Sequence, residues 1–262
     1  MKKVVILLVG ILVVVGGIIG ITRYYGQSSQ SETITKGTLT VGLEGTYAPF
    51  SYREGGKLTG YEVDVAQAVG DKLHLKTKFV QTKWDSLIAG LGSNRYDVVM
   101  NNVGITPERK KTYRLATPYI YPKTVLIKRS DDQSLTNLES IKGKKMAQST
   151  TSNYGQIARD HGAEIVAVPG IVEAMNLITT NRAEGSLNDL GAFAAWQKQN
   201  PNANLTTVDI SSEVKSQPSG PLLKKENVKL EKDISKAIEE LEKDGTLTKL
   251  SKKYFGTDLS HE

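Results

Sequence analysis

The sequence predicts an α/β protein of two lobes with a cleft between them. Residues 39–100 alternate strand and helix patterns in the order β-α-β-α-β, which is typical of a parallel sheet covered by helices. A second α/β series occupies residues 145–199, and the proline-containing segment 117–122 between the two series is extended. Because clefts between domains are favoured ligand sites, we expect the functional residues to face this cleft.

In the first series, apolar runs predict strands and amphipathic spacing predicts helices. The strands are residues 39–43, 76–80 and 96–100, and the helices are residues 60–69 and 84–91. A polar hairpin turn is expected at residues 53–57. The loop 44–52 carries Tyr47 and Phe50 beside glycine and proline, and these rings could form a stacking wall over a ligand. Phe50 suits the core equally well, and Trp84 fits either a core position or a binding surface.

The second series follows a strand at residues 124–128. Its strands are predicted at residues 145–148, 164–168 and 185–187, and its helices at residues 154–161, 171–180 and 190–199. A strand at residues 220–223 and helices at residues 229–241 and 247–254 come next. We expect these last elements to return to the first lobe.

The N-terminus predicts a membrane anchor in residues 1–23. Residues 4–21 are apolar apart from glycine, and a helix of that length spans ~27 Å against the ~30 Å hydrocarbon core of a bilayer. No small-x-small cleavage site ends the run, which favours an uncleaved anchor over a cleaved signal segment. Lys2 and Lys3 precede it and the single Arg23 follows, so the body is expected outside the cytoplasm. Residues 24–37 predict a flexible stalk.

Composition excludes several function classes. The formal charge is +6, but residues 1–30 contain three basic and no acidic residues, which leaves 31 basic against 28 acidic residues elsewhere. This excess is too small to indicate nucleic-acid binding. The absence of cysteine removes disulfides, thiol catalysis, thiolate metal sites and an N-terminal lipid anchor. The histidines, His74, His161 and His261, are scattered, so we expect neither a metal site nor a cofactor.

The segment 101–109, with the sequence NNVGITPER, predicts a carboxylate-binding corner. Thr106 is a good N-cap and Pro107 suits the first helical position, so a short helix begins here. Free backbone N–H groups at this start and the planar fork of Arg109 together suit a carboxylate. Gly104 allows close approach of a ligand. Alternatively, this is a plain strand–loop–helix junction in which Arg109 is solvated or pairs with Glu108 or Glu62.

Two stretches of the second lobe are candidates for the other side of the site. Residues 148–153 join a strand to a helix and offer hydroxyl and N–H groups to a carboxylate, although plain N-capping by Ser152 or Asn153 explains them equally well. Asp189 lies at the carboxyl end of a strand, where its charge could hold an ammonium group. A simple helix cap would look the same.

Five motifs in this order resemble a known family. They are LEGTYAPF at 43–50, GYEVD at 60–64, TKWDSL at 82–87, ITPERKK at 105–111 and DGTL at 244–247. Over residues 37–258 the chain resembles the polar amino-acid-binding proteins of bacterial ABC importers, solute-binding protein family 3. It looks most like the cystine-binding members, because of the EGTY start, the TKWD stretch and the NNV entry at residue 101.

The resemblance implies a two-lobe periplasmic-binding-protein type II fold. Each lobe would be a mostly parallel sheet with flanking helices, and two crossing strands would form the hinge. The first lobe would comprise residues 38–123 plus 219–262, and the second residues 128–214.

The resemblance also implies roles for individual residues. Arg109 matches the clamp for the α-carboxylate of the ligand, assisted by Thr151 and the N–H groups around Ser149 and Thr150. Asp189 matches the acid that holds the α-ammonium group. The remaining matches complete the first-lobe shell or the side-chain pocket: Asn102, Gly104, Tyr47, Trp84 and Glu44.

The expected function is capture of an L-amino acid, with L-cystine favoured, and its delivery to ABC permease subunits by a monomeric receptor. Two departures from the family pattern bear on the ligand: glycine is common where Ser149 stands, and glutamine often replaces Asn102 in cystine-type members. Glutamine or another polar amino acid is therefore an alternative ligand. A further alternative is an enzyme on the same fold, a dehydratase or a peptidoglycan-cleaving protein, with Glu44 or Glu62 as acid or base.

Overall fold

Two five-stranded sheets form the framework of the protein in a computed structural model that describes residues 33–214 and 217–262. The first sheet has the strand order β4-β1-β5-β12-β6. Its strands are β1 (Thr38–Leu43), β4 (Lys76–Gln81), β5 (Val98–Val99), β6 (Tyr113–Leu115) and β12 (Leu222–Lys224). We call the part of the chain around this sheet the first lobe. A separate hairpin pairs β2 (Tyr52–Glu54) with β3 (Lys57–Thr59).

The second sheet defines the second lobe and has the order β11-β7-β10-β8-β9. Its strands are β7 (Thr124–Arg129), β8 (Lys145–Gln148), β9 (Glu164–Ala167), β10 (Gly185–Asp189) and β11 (Leu205–Asp209). Strand β10 therefore extends to Asp189, so its carboxyl end carries the predicted ammonium-binding acid.

Helices cover both sheets. In the first lobe they are α1 (Tyr61–Lys72), α2 (Trp84–Gly92), α3 (Pro107–Thr112), α7 (Val228–Lys243) and α8 (Thr246–Phe255). In the second lobe they are α4 (Asn153–Asp160), α5 (Ile171–Thr179) and α6 (Leu190–Gln199), with a short 3-10 turn at Glu139–Ile141. The C-terminal helices pack on α1, which confirms that the chain returns to the first lobe.

The two segments that connect the lobes lie side by side. Ile120 and Ser219 form an antiparallel bridge, in which the Ser219 N–H donates to the Ile120 carbonyl at 2.8 Å. The Tyr119 N–H donates to the Ser219 carbonyl at 3.0 Å. The two connecting segments that the prediction assigned to a hinge thus run side by side, and their pairing is a bridge rather than a regular strand ladder.

Close packing in the first lobe explains one small residue of β1. The ring of Tyr96, which is fully buried, lies against Gly42. A Cβ atom at this glycine would lie 2.8 Å from the ring, so a larger residue would push Tyr96 out of the core. The buried ring therefore sets the spacing between β1 and the segment that leads into β5.

The expectation of mostly parallel sheets is met by four of the five strands in each sheet, and one strand in each runs in the opposite direction. In the first sheet, β1 is parallel to β4 and β5, but β12 is antiparallel to β5 and β6. In the second sheet, β8 is parallel to β9 and β10, but β7 is antiparallel to β10 and β11. Strands β7 and β12 enter directly from the connecting segments without a helical crossover, so their direction is not constrained to the parallel arrangement.

Most predicted elements agree with the structure within a few residues. Strands β6 and β11 are missing from the prediction, and β5 is two residues long instead of five. The predicted membrane helix at residues 4–21 and the stalk up to residue 32 lie outside the described residues. Within the described ranges, no helix is long and apolar enough to span a bilayer.

Candidate functional site

A cavity of about 530 Å³ lies between the lobes. The first lobe contributes residues 44, 46–47, 81–84 and 101–102, and the second contributes residues 147–149, 152–154, 168–174, 186 and 188. These residues stand near the carboxyl ends of strands β1, β4, β5, β8, β9 and β10, or in the loops and first helical turns that follow them. The cavity therefore occupies the place where α/β sheets usually bind ligands, and its volume suits a small molecule.

The short helix predicted at the proposed carboxylate-binding corner begins as expected. The Thr106 hydroxyl accepts a hydrogen bond from the Arg109 N–H at 3.2 Å, and Pro107 occupies the first turn of α3. Asn102 adopts a left-handed conformation with φ 46°, which asparagine tolerates better than most residues. The side chain of Asn101 accepts from the Glu44 N–H at 2.8 Å and donates to its carboxylate at 2.7 Å. The corner is thus tied to the end of β1.

Arg109 is half-buried, and its guanidinium donates to the Gly104 carbonyl at 2.8 Å. The guanidinium carbon also lies 5.6 Å from the centre of the Trp84 ring, within cation–π distance. Burial lowers the pKa of Arg109 to about 10, so the side chain stays charged at neutral pH. Among residues 33–214 and 217–262, no carboxylate forms an ion pair with it, so the alternative pairings with Glu108 and Glu62 are not seen, although the negative charge of Glu108 acts to raise its pKa.

Arg109 does not line the main cavity. It lines a second cavity of about 520 Å³ together with Thr150 and Thr151. Ser152 and Asn153 belong to the walls of both cavities, so the two are neighbours along the cleft. The predicted arginine and the predicted hydroxyl segment therefore face the same space from opposite lobes.

The hydroxyl segment of the second lobe binds a carboxylate of the first lobe. The Ser149 hydroxyl donates to Asp85 Oδ1 at 3.0 Å, and the Thr151 hydroxyl donates to the same oxygen at 2.8 Å. Ser152 is the N-cap of α4, since its hydroxyl accepts from the Gly155 N–H at 2.9 Å. Capping and anion binding are therefore divided between neighbouring residues of one loop.

Asp189 is fully buried, and its two carboxylate oxygens differ in their hydrogen bonding. Its Oδ1 accepts from the Ala192 N–H at 3.0 Å and so caps α6. Its Oδ2 is buried and has no hydrogen-bond partner among the described residues. Burial raises the pKa of Asp189 to about 7. Buried polar atoms normally have partners, so this oxygen is free to accept from a ligand.

Two more carboxyl groups lie close to the cleft. Burial raises the pKa of Glu44 to about 7, with a further rise from the negative charges of Asp85 and Glu173. Burial also raises the pKa of Glu62 to about 7, and the charges of Glu44 and Asp189 add to the effect. The site is therefore rich in carboxyl groups whose ionised forms a cationic group would stabilise.

Direct contacts join the lobes. The Tyr47 hydroxyl of the first lobe donates to Asn188 Oδ1 of the second at 2.8 Å, and the Asn153 side-chain amide donates to Gln217 of the connecting segment at 2.9 Å. The Tyr47 ring stacks on Phe50 with 5.0 Å between ring centres. Phe50 is fully buried and belongs to the core, which is one of the two positions that the sequence allowed for it. The lobes are thus closed on each other.

The structure distributes the predicted site residues over three environments. Five line the main cavity, namely Glu44, Tyr47, Trp84, Asn102 and Ser149. Arg109, Thr150 and Thr151 line the second cavity. Asp189 and Gly104 belong to neither wall, but Asp189 directly follows the lining residue Asn188.

Sequence reasoning missed three residues of the cleft: Lys83 and Glu173 line the main cavity, and Asp85 joins the lobes. Asp85 and Lys83 lie in the recognised TKWDSL stretch, so their position was visible in the sequence. Glu173 had no such signal, because an acidic residue in the first turn of a helix is common.

The chain matches the family model of the bacterial extracellular solute-binding proteins, family 3, over residues 39–257. A probable amino-acid ABC transporter-binding protein of Haemophilus influenzae is 41% identical over 224 residues, which cover 85% of this chain and 86% of the relative. The L-cystine-binding protein TcyA of Bacillus subtilis is 39% identical over 227 residues, which cover 86% and 84% of the two chains.

Among solved structures, the L-cystine solute receptor of Neisseria gonorrhoeae, in its unliganded open conformation, is similar in sequence and fold. It is 44% identical, the match covers 87% of this chain and 97% of the receptor, and the TM-score is 0.59. The lobes of the present structure touch, whereas that receptor is open.

Proposed function

The chain belongs to family 3 of the bacterial extracellular solute-binding proteins and is the substrate-binding component of an amino-acid ABC transporter, and we propose that its ligand is L-cystine. The family and the relatives are binding proteins of transporters, so the protein is not an enzyme. Glu44 and Glu62 therefore serve binding or structure rather than catalysis.

One observation carries the proposal for the amino-acid head group. In the part of the chain that the structure describes, Asp189 of the second lobe has a buried carboxylate oxygen without a hydrogen-bond partner, and Arg109 of the first lobe has a charged guanidinium without an ion pair. An α-amino acid carries one ammonium and one carboxylate group. We propose that the ammonium group binds Asp189 and the carboxylate binds Arg109, so that the ligand itself bridges the lobes.

The hydroxyl segment supports the place of the carboxylate. Ser149 and Thr151 already hold a carboxylate oxygen, that of Asp85, with two hydroxyl donors. We propose that the same segment, with Thr150, adds hydrogen bonds to the ligand carboxylate beside Arg109. Asn102 and Gly104 then complete the shell from the first lobe.

Charged residues of the main cavity support a ligand with a second charged end. Glu44 on the first lobe and Glu173 on the second lobe line it, and the negative charge of Glu173 contributes to the raised pKa of Glu44. Lys83 lines the same cavity. Cystine carries a second ammonium and a second carboxylate, which match this set of charges. The pocket walls Tyr47 and Trp84 would flank the disulfide, and the two relatives named for L-cystine support this ligand.

A cationic amino acid is a second candidate, favoured by the same two acids. Glu44 and Glu173 would suit a single guanidinium or ammonium group, and Lys83 would then have no role. Glutamine, with a neutral side chain, would leave the acids without a counter-charge. The distinction rests on Lys83, so its variant is the informative one.

Closure would couple binding to transport. We propose that residues 38–123 plus 219–262 close on residues 128–214, and that the ligand shifts the population toward the closed form because it contacts both lobes. The closed monomer would then dock on the permease subunits. The apolar residues 4–21 support an anchor that keeps the domain at the outer face of the membrane.

Calorimetry with L-cystine, L-arginine and L-glutamine tests the proposal. We expect L-cystine to bind most tightly, and a Lys83→Met variant to weaken cystine while leaving arginine unaffected. Mass spectrometry of small molecules released from freshly purified protein gives an independent answer. Tightest binding of arginine or glutamine would overturn the assignment of cystine, and absence of binding by any amino acid would overturn the head-group site.

A further inference from the structure

Glu62 is a buried carboxyl group directly behind the binding corner. It lies in the first turn of α1, where its side chain is fully buried. Its Oε1 accepts hydrogen bonds from the Asn102 N–H and from the Tyr119 hydroxyl. The Tyr119 carbonyl in turn accepts from the Tyr61 hydroxyl at 2.6 Å. Two neighbouring residues of α1 are thus connected to the corner and to the connecting segment.

The bond to Asn102 falls where the backbone needs support. Asn102 has φ 46°, and non-glycine residues keep such a conformation only when their surroundings fix it. Two later backbone groups of this segment have other partners, since the Val103 carbonyl accepts from the Gly220 N–H at 3.2 Å and the Ile105 N–H donates to the Pro218 carbonyl at 2.8 Å. For the Asn102 N–H, the partner is Glu62.

The surroundings of Glu62 distinguish two possible roles, attraction of the ligand by charge and support of the Asn102 backbone. Glu62 Oε2 is buried without a hydrogen-bond partner in the described residues. Glu62 also does not line either cavity, so it stands behind Asn102 rather than beside the ligand. Asp189 also lines neither cavity but directly follows the lining residue Asn188, whereas Glu62 meets the cavity wall through the backbone N–H of the lining residue Asn102. A carboxylate that holds the backbone needs only an acceptor oxygen.

We propose that Glu62 is a positioning residue for the amino-acid site, which holds the Asn102 backbone in its left-handed conformation and thereby fixes the corner that faces the ligand. This inference rests on the proposed function for its effect on affinity. Its effect on the Asn102 N–H does not depend on any ligand.

Two variants of Glu62 and one control test the inference. Glu62→Gln keeps an acceptor oxygen of the same shape, whereas Glu62→Met keeps the size and removes the acceptor. Asp97→Asn is the control, because Asp97 is another buried carboxyl group of the first lobe. It accepts from the Ile34 and Thr40 N–H groups at 2.6 and 2.7 Å, and it lines neither cavity.

The first readout is hydrogen exchange at the Asn102 amide of the ligand-free proteins. We expect Glu62→Met to raise its exchange rate at least about tenfold, because a buried bond to an acceptor is lost, while Glu62→Gln and Asp97→Asn leave it within about threefold of wild type. Equal protection in Glu62→Met and wild type would overturn the inference, whether or not any amino acid binds.

The second readout is the dissociation constant of the amino acid that binds wild type. We expect Glu62→Met to weaken binding at least about tenfold and Glu62→Gln by less than about threefold. A loss of about tenfold or more in Glu62→Gln relative to wild type would assign Glu62 a direct charge role and overturn the inference. This comparison needs only the Gln variant and wild type, so it remains decisive should the Met variant not fold. Failure of wild type to bind any amino acid would instead overturn the proposed function.

Discussion

Replacing Asp189 by asparagine separates the two roles of this side chain. Oδ1 caps α6 by accepting from the Ala192 N–H, and Oδ2 is buried without a partner in the described part of the chain. Asparagine is as good an N-cap as aspartate, so Asp189→Asn preserves the helix start. In place of Oδ2 it presents an NH₂ group, which cannot accept a hydrogen bond from an ammonium group. The fold should therefore survive while ligand binding fails.

The structure sets the magnitude and sign of both effects. Removing one partner of a buried charge pair costs about 2–5 kcal/mol, so the dissociation constant should rise about 30-fold to several thousand-fold. Stability should change in the opposite direction. The pKa of Asp189 rises from 3.8 to about 7 on folding, which corresponds to about 4 kcal/mol of burial penalty for the carboxylate at 1.36 kcal/mol per pH unit. This is an upper limit, because opening of the cleft hydrates the group.

The sign of the pH dependence follows from linkage. A carboxyl group whose pKa is higher in the folded state binds more protons there, so the free energy of unfolding falls as pH rises from about 4 to about 7. The ligand-free Asp189→Asn variant should lack this part of the fall and should melt above wild type at pH 8. At pH 4 the two proteins should melt close together, because both side chains are then neutral.

Thermal melts at pH 4 and pH 8 and calorimetry with the ligand test these expectations. Asp189→Ala is the matched control, because it loses the cap as well and should be less stable than Asp189→Asn by about 1 kcal/mol. Wild-type affinity in Asp189→Asn would refute the assignment of Oδ2 to the ammonium group. A lower melting temperature at pH 8 than wild type would refute the burial penalty.

Other perturbations probe the remaining parts of the site. Arg109→Met keeps the apolar stem and removes the guanidinium, so calorimetry should show a loss of about 2–5 kcal/mol in binding, and an unchanged affinity would refute the carboxylate clamp. Asp85→Ala removes the acceptor of the Ser149 and Thr151 hydroxyls, so the lobes of the ligand-free variant should open. Small-angle scattering should then give a larger radius of gyration than for ligand-free wild type, while the two ligand-saturated proteins should match. Identical scattering curves for the two ligand-free proteins would contradict a role of Asp85 in closure. An ammonium group of the ligand beside Asp189 should lower the pKa of that carboxyl group, so the affinity for the ligand should fall as pH drops from 8 to 6. Calorimetry in buffers of different ionisation enthalpy measures the protons released on binding. An affinity that does not change with pH would argue against the contact between Asp189 and the ammonium group.

The strongest local patterns in the sequence predicted the fold well. The Thr-Pro-Glu-Arg start of α3 was correct to the residue, because capping and proline preference act within one turn. Strand β6, with the sequence Tyr-Arg-Leu, was missed because three residues carry no periodicity. The direction of β7 and β12 was not readable either, since it depends on how the connecting segments pass between lobes rather than on the strand sequences.

The sequence predicted which residues to look for near the cleft, but not how they are arranged in space. Arg109 and Asp189 lie on opposite lobes, as expected, yet neither borders the main cavity. The bond from Thr151 to Asp85 joins residues 66 positions apart, and no pattern in one sequence reveals such a contact. The proposed role of Glu62 could not be predicted either, because its hydrogen-bond partners at residues 102 and 119 are distant in the sequence and come close only in the folded chain.

The three carboxyl groups near the cleft bear on how a permease tells loaded receptors from empty ones. Burial raises the pKa of Glu44, Glu62 and Asp189 to about 7, so each is ionised only in part near neutral pH. Under the proposed function, closure of an empty receptor over Glu44 and Asp189 would favour proton uptake, whereas a ligand brings its own positive charge to them. In an acidified medium empty receptors would therefore shut more readily and occupy permeases without cargo, so uptake should slow for reasons that the ligand concentration alone does not explain.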